Sequence, residues 1–206
     1  KVEIFNYHGA TSREFHLDDL RILPKGPRAV IMVSFDDGHR DALTVAKPIL
    51  DRYGISGTVF VNARSINTPN KLTTADLHSL STSGWAIANH GYAHLNYSNA
   101  TSAQQESDAQ IGKQFLVDEG FGSQAGLFRM PFSSEGNETR NILSHSQYLV
   151  LTSGRGAIGN PVFLHDPLSA AANNGDNYTE ALGLVRVALE NQRALVLTFH
   201  KVTDPA

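Results

Sequence analysis

Short runs of apolar and β-branched residues alternate along this chain with longer stretches whose apolar positions recur every three or four residues. Val30–Phe35 reads as a strand, and 41–53 as a helix with Ala42, Val45, Ala46, Ile49 and Leu50 on one face and Gly54 as its stop. Residues 58–62 form the next strand; Thr73 or Thr74 then caps a helix that runs to about Leu80 and ends at Gly84. A strand follows at 85–89. Ser102 with Gln105 has the spacing of a capping box, opening a helix to about Glu119. Further strands are expected at 126–128, 148–152 and 162–164. The last helix is expected to be capped by Thr179, with Leu182, Val185, Ala188 and Leu189 on one side, and it leads into the apolar strand Ala194–Phe199.

Nearly continuous apolar strands separated by helices imply a mainly parallel sheet covered on both faces. An α/β barrel or partial barrel is the leading architecture, with an open doubly wound sheet second. The 206 residues suffice for one domain, 1–206, in which 1–28 would be an N-terminal extension packing on the barrel.

Composition narrows the chemistry. A net charge of -3 without a Lys/Arg cluster argues against nucleic acid. No cysteine is present, so a metal would have to use His and carboxylate ligands. No apolar run approaches the length of a membrane span. Abundant Ser, Thr, Asn and Gly and a charged fraction of 18% fit an extracellular or cell-envelope protein, although this chain starts without a signal peptide. Oligomeric state is left open.

The unusual polar residues fall just after the expected strands: Asp36 and Asp37, His90 and His94, Arg129, and His200. In a parallel βα fold these strand ends open on one face, so one pocket can collect all of them. Taken singly, each has an ordinary reading. Asp-Asp-Gly suits a turn, and His8, His16, His39, His78, His145 and His165 read as surface or core histidines. Together, two imidazoles and one carboxylate make a common ligand set for hydrolytic zinc. Gly91 follows His90, so the HExxH glutamate is absent; the second aspartate of the pair is then the available base.

These residues resemble the polysaccharide deacetylases of carbohydrate esterase family four, the NodB-homology domain. The matching motifs are Phe35-Asp36-Asp37-Gly38, His90-Gly91-Tyr92-Ala93-His94, Arg129-Met130-Pro131-Phe132 and Leu197-Thr198-Phe199-His200, in order from about Val30 to His200. The resemblance implies a distorted, incomplete (β/α) barrel that removes acetyl groups from a glycan. It implies that Asp37, His90 and His94 hold a divalent metal, Zn2+ with Co2+ or Ni2+ as substitutes. Asp36 would be the general base, Arg129 its orienting partner, the Phe132 backbone N–H an oxyanion donor, and His200 the acid for the departing amine.

The chain departs from the family pattern at Gly91, where Ser or Thr is common, and at Thr198, where Leu usually lines the acetyl methyl. An Asp-x-x-Asp-Trp-like motif is missing near 148–160; Asp166 is a candidate substitute partner for His200. The expected substrate is a chitin-like or peptidoglycan-like N-acetylhexosamine polymer. The alternatives are an acetylxylan O-acetyl esterase, a cyclic imide or amide hydrolase, and a non-catalytic glycan-binding module. Trp85 and Tyr92 are either sugar-stacking or core aromatics.

Overall fold

The computed structural model describes residues 29–147, 149–153, 169–174, 178–191 and 194–202. Seven strands, β1 (Val30–Phe35), β2 (Thr58–Val61), β3 (Ala86–Asn89), β4 (Leu127–Arg129), β5 (Leu149–Ser153), β6 (Ser169–Asn174) and β7 (Ala194–Phe199), pair in parallel and in sequence order. β7 returns to β1 over six residue pairs, Val30 to Ala194 through Phe35 to Phe199, and closes the ring. Among the described residues there is one strand fewer than the eight of a full barrel and β3 meets β4 at the single pair Asn89 to Phe128, so this is a distorted, incomplete (β/α) barrel.

Strand alternation explains how this barrel builds a site. Met32, Phe60, Ala88, Leu127, Leu149, Leu151 and Val196, one or two from nearly every strand, pack into one cluster that fills the barrel. Because side chains on one face recur every second residue, the inward positions continue to Ser34 and Asp36, to His90, to Arg129, and to Thr198 and His200. The ladder extends past the strand ends to hold them: Asp36 N–H donates to the Phe199 carbonyl at 2.8 Å and His90 N–H to Val61 at 3.0 Å. Ser34, Asp36, His90, Arg129 and Thr198 are therefore the buried top layer of the barrel interior, and His200 stands exposed at its rim.

Outward-facing residues pack under helices. Val59, Val61, Ile87 and Phe35 meet Leu77 and Leu80 of α2 (Thr74–Thr82) and Leu116 of α3 (Ser102–Asp118). Trp85 is buried in that cluster and stacks on Phe35 at 5.5 Å, so it is a core residue. Phe128, Met130 and Val150 pack with Tyr97, Ala109 of α3 and Leu143 of α4 (Thr139–Ser144).

Several local expectations need correction. The first helix opens as a π-helical turn, Ala42–Ala46, before one short α turn, α1 (Lys47–Asp51), and leaves Ile49 exposed. The capping box of α3 is Thr101 with Gln104, one residue earlier than expected, because Gln105 is buried and donates to the Tyr97 and Ala100 carbonyls. Thr179 lies inside α5 (Tyr178–Asn191), which packs through Ala181, Leu184, Val185 and Ala188 and exposes Leu182 and Leu189. The strand expected at 162–164, the 1–28 extension and Asp166 lie outside the described residues.

Candidate metal centre and active site

The Asp-Asp-Gly turn separates its two carboxylates by backbone conformation. Asp36 continues the strand direction and is buried; Asp37 takes φ 67° and Gly38 φ 61°, in the left-handed region. A non-glycine residue there carries a conformational cost that its surroundings must offset. The reversal swings Asp37 away from Asp36 and toward His90 and His94.

Asp37 Oδ1 lies 3.1 Å from His94 Nε2 and 3.6 Å from His90 Nε2. One ligand atom from each of the three residues falls within 4.8 Å of the others, the convergence a single cation requires. His90 is fixed for this role. Its Nδ1 sits 2.7 Å from the Arg129 carbonyl, which only accepts, so Nδ1 donates there and Nε2 is the ring nitrogen turned toward Asp37. Burial alone would raise the Asp37 carboxyl, but hydrogen bonding and charge from His90 and His94 hold it well below the usual carboxylate range. The donor set fits zinc, cobalt or nickel by chemistry and by orientation.

Asp36 is engaged on one side only. Arg129 Nε donates to its Oδ2 at 3.1 Å, with both side chains almost wholly buried. Its Oδ1 is buried and has no hydrogen-bond partner among the described residues. Such an atom normally costs free energy, and a polar group at a functional site is the usual exception. Asp36, Asp37, His90, His94, Arg129, Phe132 and His200 line one cleft of about 430 Å³. Phe132, at φ 55°, is exposed and sets its ring against His94 with centroids 4.3 Å apart. Its N–H donates to no backbone carbonyl among the described residues.

Residues 24–151 match the family model described as polysaccharide deacetylase. The chain belongs to the polysaccharide deacetylase family. The Bacillus subtilis (strain 168) protein YxkH, itself named as a polysaccharide deacetylase, is 29% identical over 118 residues, 57% of this chain and 42% of YxkH. This chain thus spans less than half the length of that curated relative. Among solved structures, Streptococcus pyogenes deacetylase PplD in complex with acetate aligns with TM-score 0.57 and 21% identity over 60% of this chain and 55% of that one. A family 4 carbohydrate esterase from Streptomyces lividans in complex with acetate aligns with TM-score 0.57 and 17% identity, covering 82% and 79%. At these identities the likeness is one of fold.

Two polysaccharide deacetylase motif positions that looked anomalous in the sequence have a spatial reason. Thr198 is buried, its hydroxyl 3.0 Å from that of Ser34, which itself donates to the Leu197 carbonyl at 3.1 Å. Thr198 is not among the residues lining the cleft, so its polarity is spent inside the barrel. Gly91 has φ 78°, and a Cβ there would lie 2.2 Å from Asp108 Oδ2.

His39, read as an ordinary histidine, lies with Nε2 3.7 Å from Asp37 Oδ2. Lys71 Nζ lies 3.3 Å from that ring nitrogen and donates to the Asp37 carbonyl at 2.8 Å. Desolvation, and then the Lys71 charge, lower the His39 pKa. Its position two residues past Asp37 in the turn was the available sequence signal. Tyr92 sits at the edge of a second groove of about 470 Å³, shared with Asn62, Arg64 and Lys71, that meets the first at Asp37 and His94.

Proposed function

We propose that this chain hydrolyses N-acetyl groups of an N-acetylhexosamine-containing polysaccharide or oligosaccharide, chitin-like or peptidoglycan-like, releasing acetate, with Asp37, His90 and His94 holding a divalent cation, zinc. The observation that carries this reading is the contrast within the aspartate pair: Asp37 faces two imidazole nitrogens, while Asp36, which lines the same cleft, is clamped by Arg129 on Oδ2 and has a buried Oδ1 with no partner among the described residues. A glycan-binding module has no use for a buried carboxylate held on one oxygen alone.

A divalent cation held by Asp37, His90 and His94 would supply Lewis acidity, lowering the pKa of water. Asp36 would take the proton of the attacking water, its carboxylate oriented by the Arg129 hydrogen bond to Oδ2. The Phe132 N–H, turned by its positive φ, donates to the oxyanion, where preorganised donors count most because the charge develops only in the transition state. His200 lines the same cleft and protonates the departing amine, a poor leaving group as its anion.

The test is metal removal and reconstitution followed by acetate release from chitooligosaccharides, peptidoglycan and acetylxylan side by side. Zinc-dependent release from the N-acetylated glycans supports the reading. Release from acetylxylan alone moves the substrate class to O-acetyl esters, and glycan binding without acetate release under any metal makes the chain a binding module. Turnover of small cyclic imides with none of glycans would move it to ring-amide hydrolysis.

A further inference from the structure

We propose that Asp108, on α3, is a positioning residue of the metal centre: it clamps the loop between His90 and His94 so that both imidazoles converge on Asp37. This rests on the metal-centre reading above. His94 depends on that loop more than His90 does, because His90 is also tied to β2 and to the Arg129 carbonyl. His94 itself takes φ 55°, a conformation that needs external support.

Every backbone N–H between the two histidines is held by a group placed to receive it. Gly91 N–H donates to Asn89 Oδ1 at 2.8 Å, Tyr92 N–H to the Asp108 backbone carbonyl at 3.1 Å, and Ala93 N–H to Asp108 Oδ1 at 2.7 Å. Asp108 is 6% exposed, and its other oxygen, Oδ2, accepts from the Tyr97 hydroxyl at 3.0 Å. One carboxylate oxygen therefore holds the loop at Ala93, and the other is held in place by Tyr97. Charge-assisted hydrogen bonds of this length to backbone N–H groups are among the stronger ones available.

The carboxylate also fills volume. A Cβ at Gly91 would stand 2.2 Å from Asp108 Oδ2, and one at Gly112 would stand 2.8 Å from the Gly91 carbonyl carbon. α3 thus meets the loop backbone to backbone, with glycine on each side, and the Asp108 carboxylate occupies the space where a side chain at 91 would otherwise reach. Gly91 and Asp108 are spatially coupled: the first has no side chain because the second is there.

The experiment is zinc affinity by chelator competition, with the visible spectrum of the cobalt-substituted protein as a second readout, at a temperature where circular dichroism shows each variant folded. Asp108→Ala is expected to weaken zinc at least tenfold and to change the cobalt spectrum, the scale seen when groups supporting metal ligands are removed. Asp108→Asn, which keeps the shape and the acceptor for Ala93, should restore affinity to within about threefold of wild type. Should Asp108→Ala not fold, Asp108→Ser, too short to reach Ala93, replaces it with the same expected loss. Gly91→Ala should cost less in the Asp108→Ala background than in the wild type, because the clash is gone. A folded Asp108→Ala or Asp108→Ser protein with wild-type zinc affinity and cobalt spectrum overturns the proposal, even if its melting temperature falls. If wild type and His94→Ala bind zinc equally, the metal-centre reading itself has failed, an outcome distinct from failure of the Asp108 role.

Discussion

Replacing Arg129 with Met tests the electrostatics of the barrel's top layer. Arg129 Nε stands 3.1 Å from Asp36 Oδ2, and both side chains are about 4% exposed or less. Taking the charge centres as about 4 Å apart and an effective dielectric constant of about 20, the attraction is about 4 kcal/mol. Removing one partner of such a pair leaves an uncompensated buried charge, at a cost of about 3 to 5 kcal/mol. Metal-free Arg129→Met should therefore unfold in urea with a free energy lower by about that amount, equivalent to a drop of roughly 6 to 20 °C in melting temperature for a chain of this size. The metal-free state is the right one, because a cation would partly take over the neutralising role of Arg129. Adding Asp36→Asn to Arg129→Met should recover most of the loss, since the double variant buries neither charge. Single-variant losses that simply add in the double variant would refute the reasoning and make Arg129 a packing residue.

Other perturbations read different parts of the molecule. Asp37→Ala and His94→Ala should each abolish stoichiometric zinc binding by elemental analysis while leaving the far-ultraviolet spectrum intact. His200→Ala should reduce amide hydrolysis by about 100- to 10,000-fold, the usual worth of a positioned acid, and hydrolysis of an acetyl ester much less, compared by acetate release. Thr101→Ala should cost about 1 kcal/mol of stability in urea and Ser102→Ala little, because Thr101 makes the cap. Asp76 completes the α2 box by accepting from the Thr73 N–H at 2.9 Å. Burial works against its charge, but the Thr73 hydrogen bonds and Arg40 lower its pKa below the ordinary value. A depressed folded pKa gives stability that is present above the unfolded value of about 3.9 and is lost as pH falls through the folded one. The stability gap between wild type and Asp76→Asn in urea should thus close toward pH 2.

The sequence showed the barrel where side-chain pattern and backbone pairing coincide. β1 and β7 were readable to the residue because both are nearly continuous apolar runs bounded by chemistry at Asp36 and His200. β6, Ser-Ala-Ala-Ala-Asn-Asn, was not legible: its residues have no strand signature, and backbone pairing with β5 and β7 places it. The helix face of α5 was misread by one position because Leu182 and Leu189 are apolar yet exposed, a common state for single surface leucines. At the site, the clustering of Asp36, Asp37, His90, His94, Arg129 and His200 in one cleft was legible from strand ends alone. Asp108 was not, since nothing in a helix interior announces partners 11 and 15 residues away, at Tyr97 and Ala93, and His39 had only its place two residues past Asp37 as a signal.

In the proposed mechanism the adjacent aspartates do separate work, Asp37 as ligand and Asp36 as base. Asp36→Asn measures it most directly, by zinc stoichiometry and acetate release on the same purified sample. Asn fills the same space and still accepts from Arg129, so one equivalent of zinc should remain while acetate release falls to less than about 1% of wild type, given the usual worth of a positioned base. Loss of the zinc, or retention of substantial turnover, would contradict the assignment.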